Sequence, residues 1–206
     1  MATETTIILD FETSGLNPYH SDIIEIGAKI LGSEQSFQCL MKPESGKEIE
    51  EKITKITGIT NRELRANGIH HLQAFSNFHN WLVDNITEGS QVAIVSHNGD
   101  SFDFIFFRRI MKKLFEENLV TERFDSKYEI VYLDTLHLVR RLYPQMYSYK
   151  QETLCKYFQI DIDQAHRALS DVICLEQLYQ RILADLNKKY QTINIGMVKS
   201  YILLRI

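Results

Sequence analysis

Apolar residues recur along this chain with two different spacings. Short apolar runs at residues 6–12, 23–30 and 36–41 have the composition of β-strands. Turn-forming stretches rich in Gly, Asn, Pro and Ser separate these runs, which favours an antiparallel meander. Two later runs, at residues 91–95 and 130–133, predict further buried strands.

Helical spacing dominates the rest of the chain. The polar, mixed stretch at residues 47–64 predicts short helices around Gly58. Longer helices are predicted near residues 74–82, 103–115, 135–142, 151–158 and 167–186. Strands that first form a meander and then alternate with helices predict an α/β fold. We expect a mixed five-stranded sheet, an antiparallel meander plus parallel strands, flanked by helices on both sides.

Length and composition indicate one globular domain. The chain has 206 residues, enough for one substantial core, and no composition shift divides it. Its formal charge of -4 argues against a strongly cationic nucleic-acid binder. It does not exclude an enzyme acting on nucleic acid, because bound metal ions and a few local Lys or Arg side chains can hold phosphates in an acidic cleft.

Other features bear on location. Three cysteines without metal-ligand spacing are typical of a reducing compartment. The first residues lack a basic stretch followed by an apolar one, so no secretory signal is visible. No apolar run approaches the length that spans a bilayer. We expect an intracellular protein, cytoplasmic or nuclear, that is neither secreted nor membrane-bound.

The sequence divides into a domain and a C-terminal tail. We assign residues 1–186 to the domain and residues 187–206 to a C-terminal tail. Apolar residues such as Met197, Val198 and Ile202 occur in the tail without a residue type suited to catalysis. Two interpretations stay open. The tail either packs on the domain or docks a protein partner, such as a polymerase or a second copy of the chain.

The first chemical motif is Asp10-Phe11-Glu12, at the end of a predicted buried strand. Because successive side chains of a strand alternate between faces, Asp10 and Glu12 point the same way and Phe11 points into the core. Two neighbouring carboxylates repel each other and are unfavourable to desolvate. A divalent cation removes that repulsion, and hard oxygen ligands suit Mg²⁺ or Mn²⁺. The pair predicts a metal site.

The second motif follows the strand at residues 91–95 and opens a helix. Its sequence is Ser96-His97-Asn98-Gly99-Asp100-Ser101-Phe102-Asp103. In α/β sheets, ligands bind beyond the carboxyl end of such a strand. Asp103 near a helix start is suited to capping as well as to metal binding. Composition does not choose between Asp100 and Asp103 as a ligand.

The third motif is His166-Arg167-Ala168-Leu169-Ser170-Asp171. Five helical positions rotate the side chain by about 140°, so His166 and Asp171 would not share a face of one regular helix. They converge if His166 lies on the preceding loop and Asp171 lies one turn inside the helix. Histidine, with an ordinary pKa of about 6.5, is suited to accept a proton from water.

Taken in order, the three motifs resemble those of the DEDDh family of 3′→5′ exonucleases, whose fold is ribonuclease H-like. The intervening segments at residues 22–28, 53–60 and 133–135 are similar to the family as well. The amino-acid sequence around Asn98 is most similar to that of the three-prime repair exonuclease branch. It is also similar to the proofreading subunit of bacterial replicative polymerases.

The resemblance implies roles for individual positions. Two Mg²⁺ or Mn²⁺ ions would be held by Asp10, Glu12, Asp103 and Asp171, and His166 would be the general base. The resemblance thus moves the choice from Asp100 to Asp103. Positions expected to contact the terminal nucleotides are Thr13, Gly15, Leu16, Ile56, Thr57, Asn98 and Phe102.

These roles imply a metal-dependent 3′→5′ exonuclease that hydrolyses DNA ends, with single-stranded or frayed ends favoured, and releases nucleoside 5′-monophosphates. An exoribonuclease of the same family is the alternative, since nothing in the motifs reads a 2′-hydroxyl. A non-catalytic nucleic-acid-binding module is a further alternative, which loss of a ligand residue would favour. Basic residues at 108–113 and tyrosines at 143–149 are either a further substrate-binding layer or ordinary surface and core residues.

Overall fold

The computed structural model describes residues 4–87, 89–161, 167–190 and 196–198, which form a five-stranded mixed sheet between helices. The strands are β1 (Glu4–Thr13), β2 (Ile23–Ile30), β3 (Ser36–Leu40), β4 (Gln91–Ser96) and β5 (Glu129–Asp134), in the order β3-β2-β1-β4-β5. β1, β2 and β3 pair antiparallel, whereas β4 is parallel to both β1 and β5. The predicted meander with added parallel strands is confirmed.

Eight α-helices connect and cover the strands in the described residues. They are α1 (Glu51–Thr57), α2 (Asn61–Asn67), α3 (His71–Asn85), α4 (Asp103–Glu116), α5 (Phe124–Lys127), α6 (Thr135–Leu142), α7 (Gln151–Tyr157) and α8 (Ala168–Tyr190). A short 3-10 helix, Gly99–Ser101, precedes α4. The sequence did not predict α5, because four residues are too few to show a period. Helix α8 extends past residue 186, where the predicted helix ended.

The two faces of the sheet carry separate apolar clusters. On one face, Ile7, Leu9 and Phe11 of β1 pack with the buried sides of α3 and α4. On the other face, Ile8 of β1 packs with α6, α7 and α8. Because side chains alternate along β1, the even-numbered Asp10 and Glu12 lie on the side of α8. The sheet thus directs both carboxylates toward that helix.

Helix α8 packs directly on β2 where Gly27 leaves room for it. Gly27 pairs with Asp10 in the register of β1 and β2. A Cβ atom added at Gly27 would lie 2.3 Å from the carbonyl carbon of Ala168 and 2.6 Å from the nitrogen of Leu169. Backbone atoms of α8 therefore occupy the space that any other side chain would need. The absence of a side chain brings the first turn of α8 next to Asp10.

Farther along α8, an ion pair continues this contact. Lys29 of β2 binds Glu176 of α8 with a closest N···O distance of 2.8 Å, and the backbone N–H of Gly32 also donates to that carboxylate. Both side chains are largely buried. Val198, from the predicted tail, is 1% exposed and packs in the same cluster as α8. None of the described helices has the length and apolar character needed to cross a membrane. The domain boundary at residue 186 stays a prediction.

Substituting Gly27→Ala should destabilise the fold by about 3 kcal/mol, because backbone atoms of α8 would have to move to admit the methyl group. Chemical denaturation measures this free energy of unfolding. Gly32→Ala is the matched control, since nothing lies within 4 Å of its added Cβ and only its φ of +71° opposes the change. The control should lose about 1 kcal/mol. Equal losses at the two glycines would contradict the close seating of α8.

Candidate active site

Three carboxylates from two elements meet at the end of the sheet. Asp10 and Glu12 come from β1, and Asp171 comes from the first turn of α8. One ligand oxygen from each lies within 4.8 Å of the others. Asp10 and Asp171 are partly exposed, so solvent reaches the cluster. The structure thus brings together three of the four acidic residues that the sequence singled out.

Asp103, the fourth, lies beside this cluster and is held by two hydrogen bonds. The backbone N–H of Phe11 donates to its Oδ1 at 3.2 Å, and the Ser96 hydroxyl donates to its Oδ2 at 2.6 Å. Helix α4 begins at Asp103, but its N-cap position is Phe102 and has no side-chain cap. Capping therefore does not account for this buried carboxylate. The bond from Phe11 holds it against β1, at the residue that lies between Asp10 and Glu12 in the sequence.

Burial and mutual repulsion make these carboxylates hard to ionise. Burial, followed by the charges of Asp103 and Glu12, raises the pKa of Asp10 well above its ordinary value. Burial and the charge of Asp171 raise the pKa of Glu12 to about 8. Burial also raises the pKa of Asp103 to about 7, against the lowering effect of its hydrogen bonds. Without a counter-charge, the cluster takes up protons near neutral pH.

The donor set fits a divalent cation. Among the described residues, the donors of this cluster are carboxylate oxygens, which are the ligands that Mg²⁺ and Mn²⁺ prefer, and no thiolate takes part. The spacing of the Asp10, Glu12 and Asp171 oxygens lets one ion touch all three. A bound cation would also supply the positive charge whose lack raises the pKa values of these groups.

Glu25, which the sequence analysis did not select, organises the start of α8. It is opposite Glu12 in the register of β1 and β2 and is 0% exposed. The Arg167 guanidinium donates to it through Nη2 at 2.8 Å, and the backbone N–H of Ala168 donates at 3.0 Å. A charged residue between the apolar residues Ile24 and Ile26 was the available signal, since a buried carboxylate needs a partner. Glu25 fixes the residues that precede Asp171.

The loop after β1 exposes Leu16 a few residues beyond Glu12 in the chain. The Thr13 hydroxyl donates to the Gly15 carbonyl at 2.7 Å, and a Cβ at Gly15 would lie 2.9 Å from the Ser21 hydroxyl oxygen. Leu16 is 75% exposed. Arg109 of α4 donates to the carbonyls of Pro18 and Ser21 and so holds the loop. Leu16 thus projects from a well-anchored turn.

The two positions in α1 differ from each other. Ile56 is 41% exposed and is available to a ligand. Thr57 is 4% exposed, and its hydroxyl donates to the Ile53 carbonyl and accepts from the Ile59 N–H. The Thr57 side chain is therefore engaged in ending the helix. Its role as a substrate contact stays a prediction.

The loop after β4 holds Asn98 and Phe102 in defined positions. Asn98 is exposed and adopts the left-handed conformation, with a φ of 66°. Its N–H donates to Asp134 at the end of β5 at 2.9 Å, and the N–H of Asp100 donates to the same carboxylate. Phe102 packs edge-on against Phe106, with ring centroids 5.0 Å apart. Asp134 thus supports the loop that leads to Asp103.

A second acidic group contains Asp100, the sequence-based competitor of Asp103. One carboxylate oxygen of Asp100, one of Asp134 and one ring nitrogen of His137 lie within 4.8 Å of one another. Asp134 already accepts hydrogen bonds from the N–H groups of Asn98, Asp100 and Leu136. Asp100 is exposed and contacts His137 at 3.2 Å. The Asp134 carboxylate thus supports the loop and caps α6, the Asp100 carboxylate contacts His137, and Asp103 is the one beside Asp10.

The remaining candidate residues from the sequence differ in their surroundings. His166 lies outside the described residues, so its role stays a prediction. Tyr143 and Tyr149 pack against the apolar cluster that β1 forms with α6, α7 and α8, whereas Tyr147 is 90% exposed. The basic side chains of α4 have partners within the chain, such as the Tyr132 ring under Arg108 and Glu44 beside Lys113. This pattern favours the structural interpretation of the basic group.

Comparison with known proteins identifies the family of the chain. The exonuclease family model named RNase T matches residues 7–179. The DNA polymerase III PolC-type protein of Bacillus subtilis (strain 168) is 32% identical over 90% of the chain, and that of Thermotoga maritima is 33% identical over 89%. The chain spans only 12% of the length of either relative.

Solved structures share the fold. The nuclease domain of 3′hExo, a DEDDh family member bound to rAMP, has a TM-score of 0.67 at 19% identity, covering 88% of this chain and 92% of that one. E. coli exonuclease I in complex with a dA16 oligonucleotide has a TM-score of 0.69 at 22% identity, covering 97% of this chain and 43% of that one. The ribonuclease H-like fold is confirmed. Because the family model matches residues 7–179, which is most of the chain, the chain belongs to the RNase T exonuclease family.

Proposed function

We propose that this chain is a divalent-metal-dependent 3′→5′ exonuclease that acts on DNA ends. The single observation that carries the proposal is the convergence of Asp10, Glu12 and Asp171 within 4.8 Å, with Asp103 hydrogen-bonded alongside. Its relatives are DNA polymerase III PolC-type proteins, and exonuclease I is a structural neighbour bound to a DNA oligonucleotide. These similarities favour DNA as the substrate. We propose that the preferred substrate is a single-stranded or frayed 3′ end.

Each residue has a definite part in this proposal. Asp10, Glu12, Asp103 and Asp171 would hold two ions, Mg²⁺ or Mn²⁺. Bound ions of this kind supply a more acidic attacking water and a positive charge beside the departing 3′-oxygen. His166 would take the proton from that water. Leu16 and Ile56, both exposed, would hold the terminal nucleotide in place.

RNA is the second candidate substrate. The structural neighbour 3′hExo is bound to rAMP, a ribonucleotide, and has the same fold at a TM-score of 0.67. Discrimination would require a group that contacts the 2′-hydroxyl. A protein partner, through the residues after 186, is a further proposal that rests on the apolar composition of that segment.

Purified protein with Mg²⁺ should shorten 5′-labelled single-stranded DNA stepwise and release mononucleotides from 3′-labelled DNA. Gel electrophoresis of both labelled oligonucleotides, with matched RNA in parallel, measures polarity and sugar preference. Asp171→Asn should abolish cleavage, since it removes one ligand of the cluster. Asp125→Asn, a change at an exposed ion pair with Arg123, should leave cleavage intact. Degradation from the 5′ end would contradict the proposal.

Replacing the proposed base, His166→Ala, should lower the turnover number by about 10²–10⁴-fold, which is the usual contribution of a positioned proton acceptor. Initial rates at saturating oligonucleotide and Mg²⁺ measure it. His70→Ala serves as the control, because His70 caps α3 away from the acidic motifs in sequence. An unchanged turnover number would remove His166 from the mechanism.

The metal-free protein should lose stability as pH rises from about 5 to about 8. The pKa of Glu12, raised to about 8, and that of Asp103, raised to about 7, mean that the folded state holds protons that the unfolded state has released. Deprotonation therefore favours unfolding across this window. Thermal unfolding in a chelator, at several pH values, measures the slope.

The neutral variant Glu12→Gln isolates the contribution of one carboxylate. It should stabilise the metal-free protein at pH 8 by on the order of 1–3 kcal/mol, because it removes a buried repelling charge. It should also lose most of the stabilisation that Mg²⁺ gives the wild type. Glu122→Gln, at an exposed position, is the control. A Glu12→Gln protein less stable than wild type at pH 8 in chelator would contradict the strained cluster.

A further inference from the structure

The segment formed by residues 149–151 lies between the two parts of the chain that carry Asp103 and Asp171. It precedes and opens α7, which packs against α8 on one face of the sheet. At one end it contacts His97, in the loop that leads from β4 to Asp103. At the other end it contacts Asp171 itself. The same short segment therefore contacts both the loop that leads to Asp103 and the residue Asp171.

His97 makes the first contact. Its Nε2 lies 2.7 Å from the Tyr149 carbonyl oxygen, which only accepts hydrogen bonds, so this nitrogen donates. Its Nδ1 lies 2.9 Å from the Thr135 hydroxyl. Burial lowers the pKa of His97, which favours the neutral ring with a proton on Nε2. The ring thus joins three segments: the loop after β4, the start of α6 and residue 149.

Gln151 makes the second contact. Its side-chain Nε2 donates to the backbone carbonyl of Asp171 at 2.9 Å. Asp171 is in the first turn of α8, and its own N–H donates to the Arg167 carbonyl at 3.0 Å. The side-chain donor of Gln151 thus approaches the ligand-bearing residue from α7, on a different element from Glu25.

The segment itself is well anchored. The Tyr149 hydroxyl donates to the Tyr143 carbonyl at 3.0 Å. The Leu154 N–H donates to the Lys150 carbonyl at 3.0 Å, and Leu154 is 0% exposed. A segment anchored in this way fixes the distance between the two elements that it contacts, whereas a mobile segment would not.

We propose that Gln151 is a positioning residue of the metal centre. Together with His97, it sets the separation between the Asp103 loop and the first turn of α8 through residues 149–151. The inference rests on the proposed function, because it takes the acidic cluster to be a metal site. Groups that orient ligands typically change metal affinity by about 10–100-fold when they are removed. Since Gln151 acts on the backbone of a ligand residue, we expect the lower end of that range.

The test uses Gln151→Met, which keeps the side-chain length and removes the donor. Gln91→Met is the matched control, because the Gln91 amide donates to Glu129 at 2.9 Å across β4 and β5. Electron paramagnetic resonance of free Mn²⁺ measures the dissociation constant of each protein without a substrate. Gln151→Met should raise that constant about tenfold, and Gln91→Met should leave it unchanged.

Exonuclease rates complete the test. The Mg²⁺ concentration for half-maximal rate should rise for Gln151→Met, while the KM for oligonucleotide stays within twofold of wild type. A purely structural role would lower the melting temperature of the chelated protein without altering Mn²⁺ affinity, and that result would overturn the inference. If wild type binds Mn²⁺ but degrades no DNA or RNA, the proposed function fails and the Mn²⁺ affinities still decide the role of Gln151. Wild type that binds no Mn²⁺ would overturn both.

Discussion

Electrostatic repulsion among carboxylates at the end of β1 is the constraint on which this structure depends. Asp10, Glu12 and Asp171 lie within 4.8 Å of one another, and Asp103 lies beside them. Burial and like charge raise the pKa values of three of these groups, so the arrangement is unfavourable unless protons or cations neutralise it. Stability is therefore given up locally for a site that attracts divalent cations. The rest of the fold has to hold these groups together against that repulsion.

Helix α8 is held at the cluster by contacts on two sides. Gly27 lets its backbone approach β2, and Glu25 binds both Arg167 and the N–H of Ala168. Lys29 and Glu176 continue the contact along the helix. On the side of α7, Gln151 donates to the Asp171 carbonyl. Because these contacts come from separate elements, the position of Asp171 depends on how several parts of the fold pack together.

Local pattern predicted the strands, the main helices and the acidic motifs. Alternation along β1 was enough to place Asp10 and Glu12 on one face and Phe11 in the core, and the structure agrees. Pattern could not choose between Asp100 and Asp103, because that choice depends on hydrogen bonds to Phe11 and Ser96 formed by folding. Glu25 and Gln151 were missed for a related reason. Their partners lie 142 and 20 residues away in sequence, so even where a buried charge such as Glu25 signals that a partner exists, the sequence does not show which residue it is.

The most direct test of the metal-site account is an anomalous difference map from crystals grown with Mn²⁺. It locates the ion independently of activity and of any spectroscopic assumption. The account predicts density between the carboxylates of Asp10, Glu12 and Asp171, within reach of Asp103. Density confined to the Asp100, Asp134 and His137 group, with the β1 carboxylates free of metal, would contradict it.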